Sequence, residues 1–350
     1  MILIAGAGAT GAGIAYRLAL RGAENVVLCD RGEIASGSTS RAMGGVRQQF
    51  STAAEVMLAR ESIAFFAELG PPFFHQVGYL FLATTEEGLA ALEERREVQT
   101  GLGVPVERID PAFVAGLETR DVLGATFCAE DGVADPPAVA QELVRRATEL
   151  GVELREHTLA ESLLDDADTL VIACGPWSAA LGRRVGVELP VRPLCRQLLA
   201  TERLPSPPAM LPMVVEAESG FHFRRRGDRL VLAMGDAEPR WGFDTTVDES
   251  VFADRLERLA NRFPAATGLR IADAWAGLYD MTPDAHPILG RVADGVHAAC
   301  GFSGHGFMQS PAVAQAIAEE LLDGEASIDL SPYRLDRFAD GSSFAEAVVL

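Results

Sequence analysis

Six residues near the amino terminus, Gly6-Ala7-Gly8-Ala9-Thr10-Gly11, constrain this chain more than any other stretch. The apolar run Ile2-Leu3-Ile4-Ala5 precedes them, and residues 12–20 follow with helical spacing, so the segment predicts a strand, a glycine turn and a helix. The three glycines have separate tasks: a tight turn at Gly6, close approach of backbone to a pyrophosphate at Gly8, and close packing of helix on strand at Gly11. Free amides at the helix start then face phosphate. A second β-rich run, Val26-Val27-Leu28, ends at Cys29-Asp30-Arg31. Asp30 therefore lies about twenty residues beyond the turn, where an acid hydrogen-bonds the hydroxyls of an adenosine ribose. A dinucleotide is expected here, and the hexapeptide alone suits a nicotinamide or a flavin dinucleotide equally.

Charge narrows the partners. Acidic residues outnumber basic ones fifty to thirty, every basic residue is arginine, and the formal net charge is −20. Repulsion from phosphate disfavours a nucleic-acid partner, and the absence of lysine removes every lysine-based mechanism. Cys29, Cys128, Cys174, Cys195 and Cys300 are scattered and lack the spacing of a metal knuckle, so reduced core thiols and no metal site are expected. No apolar run reaches the roughly twenty residues that span a bilayer. The first residues already belong to the predicted strand, which leaves no room for a cleavable presequence and makes the cytoplasm the expected location.

Along the chain, residues 32–45 form a loop of small residues that offers amides and hydroxyls to a ligand. A flexible linker has the same composition, but the position directly after the ribose acid favours a cofactor loop. Ser51 or Thr52 caps a helix that runs to Leu69 and stops at Gly70-Pro71-Pro72. Residues 78–83 and 122–128 then read as strands flanking a charged helix at 86–99. Asp135-Pro136-Pro137 opens a helix through Leu150, and residues 168–174 form a buried-type strand running into Gly175-Pro176-Trp177-Ser178. Residues 192–201, 213–216, 220–224 and 229–234 read as an antiparallel sheet, covered by an amphipathic helix over 248–262. Finally Gly301-Phe302-Ser303-Gly304-His305-Gly306-Phe307-Met308 feeds a helix from about Gln309 to Leu322, whose positive end suits the negative charge of a reduced flavin.

Taken together, Gly6 to Gly11 with Asp30, the run Gly37-Ser38-Thr39-Ser40-Arg41 with Gly44-Gly45-Val46-Arg47, residues 171–178, and Met281-Thr282-Pro283-Asp284 with residues 301–308 resemble the D-amino-acid oxidase-like family of FAD-dependent oxidoreductases. Within it, the sarcosine oxidase and dye-linked proline dehydrogenase branches are most similar. The resemblance implies an α/β fold: a Rossmann-like FAD-binding domain built from the discontinuous segments 1–72, 130–190 and 271–350, plus an α+β substrate domain with an antiparallel sheet from 73–129 and 191–270. It also implies that Ser38, Thr39, Ser40, Arg41, Gly44 and Gly45 line the FAD, with Asp30 and Arg31 nearby. Ala173, Gly175 and Trp177 would approach its adenosine and pyrophosphate side, and Gly304, His305, Gly306, Phe307 and Met308 would lie at the flavin ring.

Departures from the family pattern carry information. Gly277 stands where monomeric sarcosine oxidases have a flavin-bonded cysteine, and Arg41 where dimethylglycine dehydrogenases have a flavin-bonded histidine, so non-covalent FAD is expected. Met308 replaces a lysine that helps hold the substrate carboxylate in sarcosine oxidases, and the lysine that promotes their oxygen reaction is also missing. A dehydrogenase passing electrons to a dye, quinone or partner protein is the resulting expectation. The resemblance implies that the chain oxidises a secondary or N-methyl amino acid, proline- or sarcosine-like, by hydride transfer to flavin N5, giving an imine that water hydrolyses after release. Arg47 is the expected carboxylate grip, since a guanidinium binds carboxylate bidentately, although an ion pair with a protein acid would also occupy it. His305 is expected at the flavin, and Tyr279 and His222 are candidate pocket walls, with Phe221 and Phe223 on the opposite face of the same strand. A D-amino acid or glycine oxidase, a flavin-carrying subunit or assembly factor, and a nicotinamide dehydrogenase stand as alternatives.

Overall fold

In the computed structural model, residues 1–341, 345, 346 and 349 are described. The first sheet has six strands, ordered Ile288–Ala293, Val296–Cys300, Thr169–Ile172, Ile2–Ala5, Val26–Cys29 and Glu153–Arg155. All neighbouring pairs are parallel except the edge pair Ile288–Ala293 with Val296–Cys300. Its central strands are covered on both faces, which is why Leu3-Ile4-Ala5 and Val26-Val27-Leu28-Cys29 are apolar without alternation. One face packs on the helices Ala9–Leu20, Pro136–Glu149 and Gly306–Asp323 through Ile4, Ile14, Leu18, Leu143 and Ile317.

Three chain segments far apart in sequence thus meet in one mostly parallel sheet. The helix Ala9–Leu20 crosses Gly306–Asp323 closely because Gly13 has no side chain: a Cβ there would stand 2.9 Å from the Ala314 Cβ. The last helix begins at Gly306, three residues ahead of the sequence expectation, with His305 as its N-cap residue.

The second sheet has eight strands, ordered Ile271–Met281, Arg192–Thr201, Arg229–Ala233, His222–Arg226, Met213–Glu216, Tyr79–Ala83, Gly124–Cys128 and Val106–Arg108. It is antiparallel except where Met213–Glu216 runs parallel to Tyr79–Ala83. Ile271–Met281, assigned from sequence to the nucleotide-binding segments, pairs here with Arg192–Thr201 over its length. A small third sheet, Gly45–Val46, Gly132–Ala134 and Phe74–His75, was not anticipated; strands of two and three residues carry too little periodicity to be read.

Register in the large sheet decides which side chains meet. Val215 pairs with His222, His222 with Ala233, Ala233 with Leu198, Arg196 with Gly277 and Leu194 with Tyr279. Residues opposite one another share a face, so His222, Leu198, Arg196 and Tyr279 all stand on one side. The other side presents Leu80, Leu82, Val214, Phe223, Leu230, Leu232 and Leu199, packed on Leu259 of the helix Phe252–Arg262.

The glycine turn is the tightest point. Gly6 has φ +105°, and a Cβ there would meet the Ala173 carbonyl oxygen at 2.3 Å; at Gly11 a Cβ would stand 1.8 Å from the Gly6 carbonyl oxygen. Gly11→Ala therefore displaces the Gly6 peptide. The expected result is a loss of about 1–3 kcal/mol in stability, typical of overpacking, with less flavin retained on purification, measured by denaturant unfolding and absorption spectra.

Candidate cofactor and substrate site

A cavity of about 710 Å³ runs between the two large sheets, within the roughly 300–1,000 Å³ usual for cofactor and ligand sites. At one end it is lined by Gly6, Gly8, Asp30, Arg31, Thr39 and Trp177; at the other by Arg47, Tyr79, Arg196, His222, Tyr279 and His305. All of the sequence-predicted site residues except Gly11 and Ser40 border this space; Gly11 packs against the Gly6 carbonyl behind the turn. Ser40 is held on the loop, its hydroxyl donating to the Gly37 carbonyl at 2.9 Å.

At the glycine end, Asp30 acts first on the protein. Its Oδ2 accepts from the Ala7 amide and its Oδ1 from the Gly32 amide, both at 2.8 Å. The carboxylate fixes the turn and keeps further lone pairs for a ligand. Thr39 Oγ1 accepts from the Ala9 amide at 3.1 Å, and Ser38 Oγ donates to the Leu278 carbonyl at 2.6 Å. The loop is therefore stitched between the helix start and the large sheet. Trp177 is flanked by Arg31, whose guanidinium carbon lies 4.0 Å from the ring centroid, and by Phe243, stacked at 5.8 Å. Phe243 escaped sequence reading because its loop, residues 235–248, shows no periodicity.

In the middle, Arg41 anchors its guanidinium on the Ser36 and Gly37 carbonyls, and its backbone carbonyl accepts from Trp275 Nε1 at 3.2 Å. Its stem fills the space in front of Gly277, where a Cβ would stand 2.8 Å from the Arg41 Cβ. Gly45 is needed for a related reason: a Cβ would be 1.8 Å from the Tyr79 hydroxyl. Gly44, at φ +79°, passes close to the Ala134 carbonyl.

The far end is where the polar groups gather. Arg47 is 1% exposed and stacks on Phe50, its guanidinium carbon 4.0 Å from that ring. Its Nη1 donates to the Gln49 carbonyl, and its Nη2 lies 3.4 Å from His305 Nε2. Gln48 and Gln49 in turn bond the buried Asp131, whose Oδ1 accepts from the Gln48 amide at 2.9 Å and Oδ2 from Gln49 Nε2 at 3.0 Å. The run Arg47-Gln48-Gln49-Phe50 is thus a single hydrogen-bonded brace. His305 meets Phe50 edge-on at 5.0 Å. Gly304, at φ +98°, gives way to the Tyr279 ring, which a Cβ would approach to 2.4 Å. Phe307 packs on Phe66 with centroids 5.3 Å apart.

Arg196 was not singled out from sequence. Strand alternation placed it with Leu194 and Leu198, but which of the two faces turns to the cavity is a tertiary fact. The residue is half-buried, and its Nε and Nη1 have no hydrogen-bond partner among the described residues. His286, by contrast, is fully buried with Nδ1 2.9 Å from Glu55 Oε1, away from the cavity.

The family model described as FAD dependent oxidoreductase matches residues 1–320. The chain belongs to this family. It is 30% identical to FAD-dependent oxidoreductase domain-containing protein 1 of Bos taurus, over 100% of this chain and 87% of that one. It is 28% identical to the glycine oxidase of Geobacillus kaustophilus, over 96% of each chain. The solved L-proline dehydrogenase from P. horikoshii superposes with a TM-score of 0.90 at 28% identity, over 98% of both chains. FAD is accordingly the cofactor of this oxidoreductase, and the site suits it: the side-chain-free turn at Gly6 and Gly8, the positive end of the helix Ala9–Leu20, Asp30, and the N-terminus of Gly306–Asp323 all border one cavity. No helix among the described residues is long and apolar enough to cross a membrane, and no group of metal-ligating side chains is found among them.

His222 gives a pH test. Burial pulls its imidazole down to about 4; the Gly220 carbonyl bonded to Nδ1 at 2.8 Å opposes this, and the nearby Arg47 and Arg196 guanidiniums reinforce it. An unfolded histidine titrates near ~6.5. Between those values the unfolded chain binds the extra proton, so the contribution of His222 to stability is present above about 6.5 and is lost as pH falls towards 4. Acidification from neutral pH to the middle of that window is expected to destabilise the native protein more than His222→Gln, as followed by thermal unfolding. Equal pH slopes would contradict a neutral buried imidazole.

Proposed function

We propose that the chain is a dehydrogenase that oxidises a secondary or N-methyl amino acid to an imine with non-covalently bound FAD. The observation that carries this reading is the position of Arg47: a guanidinium braced in an aromatic and histidine setting at the opposite end of the cavity from the glycine turn. L-Proline dehydrogenase and glycine oxidase, the named activities of two similar proteins, both concern small amino acids.

FAD, when bound, supplies the two-electron acceptor for the substrate Cα–H bond. The chain's residues do the rest. Arg47 holds the carboxylate and so orients the Cα. Tyr79 and Tyr279, each with its phenol pushed up by burial, remain neutral hydroxyls lining the pocket. His222 donates from Nδ1 to the Gly220 carbonyl, which leaves Nε2 as an acceptor for the N–H of a neutral amine. Imine hydrolysis needs no protein nucleophile.

Two features support the finer points. The Arg41 stem occupies the place from which a residue at 277 would reach the flavin, in keeping with a dissociable cofactor. The absence of any lysine leaves no ammonium to assist oxygen reduction, in keeping with another acceptor.

Anaerobic mixing with a panel of secondary and N-methyl amino acids is expected to bleach the oxidised-flavin band. Arg47→Met should lower kcat/KM on the order of 10²-fold, about 3 kcal/mol for a lost charge-assisted grip. A panel that leaves the flavin oxidised refutes the reading. Stopped-flow mixing of the reduced protein with air-saturated buffer is expected to give reoxidation slower than turnover with a dye; matching rates would make it an oxidase.

A further inference from the structure

Arg196 has no ion pair among the described residues, in a chain where carboxylates outnumber arginines fifty to thirty. Elsewhere arginines are readily paired: Arg145 holds Glu142 and Glu149, Arg262 holds Asp121 and Glu216, and Arg337 holds the buried Asp284. Arg196 lines the cavity instead, with Nε and Nη1 out of contact with solvent and without hydrogen-bond partners among the described residues. Its guanidinium carbon lies 5.7 Å from the Tyr279 ring centroid, and Gly235 stands beside it, where a Cβ would lie 3.7 Å from Nη2.

The residues beside it on the same face of the sheet carry no acid. Across the strands stand Gly277 and Tyr279 on one side and Ala233 and His222 on the other, with Leu194 and Leu198 along its own strand. The acids that border the cavity are committed or remote. Asp280 accepts from the Gly301 amide at 2.7 Å, Asp30 accepts two amides of the glycine turn, and Glu161 lines the cavity with Thr158 and Leu159 after the strand Glu153–Arg155. Gln197 points to the opposite face, where it meets Arg240 and Asp248. A half-buried cation with unsatisfied donors costs free energy until an anion meets it.

Resting on the reading that this cavity oxidises amino acids, we propose that Arg196 binds a second carboxylate of the substrate, so that the preferred substrates are amino dicarboxylates. Arg47 takes the carboxylate next to the reacting carbon, and Arg196 takes the one on the side chain or on the nitrogen substituent. A monocarboxylic amino acid leaves the unsatisfied donors of Arg196 unmet. Arg196 is thus a specificity residue: it fixes which amino acid is accepted, while the reacting bond is oriented by Arg47.

The test compares N-methyl-aspartate and N-methyl-glutamate with sarcosine and proline, using the FAD-loaded protein and an artificial dye. The native protein is expected to prefer the dicarboxylates by an order of magnitude or more in kcat/KM. Arg196→Met should lower kcat/KM for the dicarboxylates by two orders of magnitude, mainly through KM, and leave the monocarboxylates within about threefold. Its unfolding midpoint should not fall, since Arg196 has no described ion pair to lose and its unsatisfied donors are removed, and Arg196→Lys should recover part of the preference. Equal losses for both substrate classes would make Arg196 part of the primary carboxylate grip and overturn the proposal, as would a native protein without preference. A separate titration with succinate and acetate, read by perturbation of the flavin spectrum or by calorimetry, needs no turnover. Succinate should bind the native protein at least tenfold tighter than acetate, and that margin should vanish in Arg196→Met. If no amino acid reduces the flavin yet succinate shows this margin, the catalytic reading fails and the anion site stands; the absence of a margin removes the anion site itself.

Discussion

The carbonyl of Gly6 lies where the side chain of residue 11 would be, and the carbonyl of Ala173 lies where the side chain of residue 6 would be. This mutual exclusion is backbone against backbone, and no rotamer relieves it. It draws the strand Ile2–Ala5, its helix and the strand Thr169–Ile172 to a single point. With the Ala7 amide held by Asp30, the start of the helix faces the cavity. Every other group in the site is placed relative to that point: the loop through Thr39, which accepts from the Ala9 amide; the large sheet through Ser38, which bonds Leu278; and the last helix through Gly13 against Ala314.

A second organising constraint is the division of labour between the faces of the large sheet. One face is apolar and closed by Leu259 and Phe263. The other carries His222, Arg196 and Tyr279 towards the cavity. An alternating sheet with one dry side lets polar groups converge without placing charge in the core. Burial still acts on them, since the imidazole and the phenols are all driven towards their neutral forms. The cations in the cavity are guanidiniums, the side chains that best keep their charge under such conditions.

Much of this arrangement was legible in the sequence wherever the signal is local. The glycine turn, the acid about twenty residues on and the glycine-rich entry to the last helix are short-range patterns imposed by backbone sterics, and they lie where expected. What was not legible depends on long-range register. Arg196 sits on an anticipated strand, but parity alone does not say which face meets the cavity. The strand Ile271–Met281 reads equally well as part of either sheet until its pairing with Arg192–Thr201 is seen. Asp30 was expected to serve a ribose, and its first bonds are to the Ala7 and Gly32 amides, a role that spacing cannot distinguish from ligand contact.

The contact between the Arg41 stem and Gly277 joins two positions separated by more than half the chain. Any side chain introduced at 277 meets the Arg41 stem at its first carbon. The two residues form an interlocked pair, so that a change of size at either position is felt first at the other.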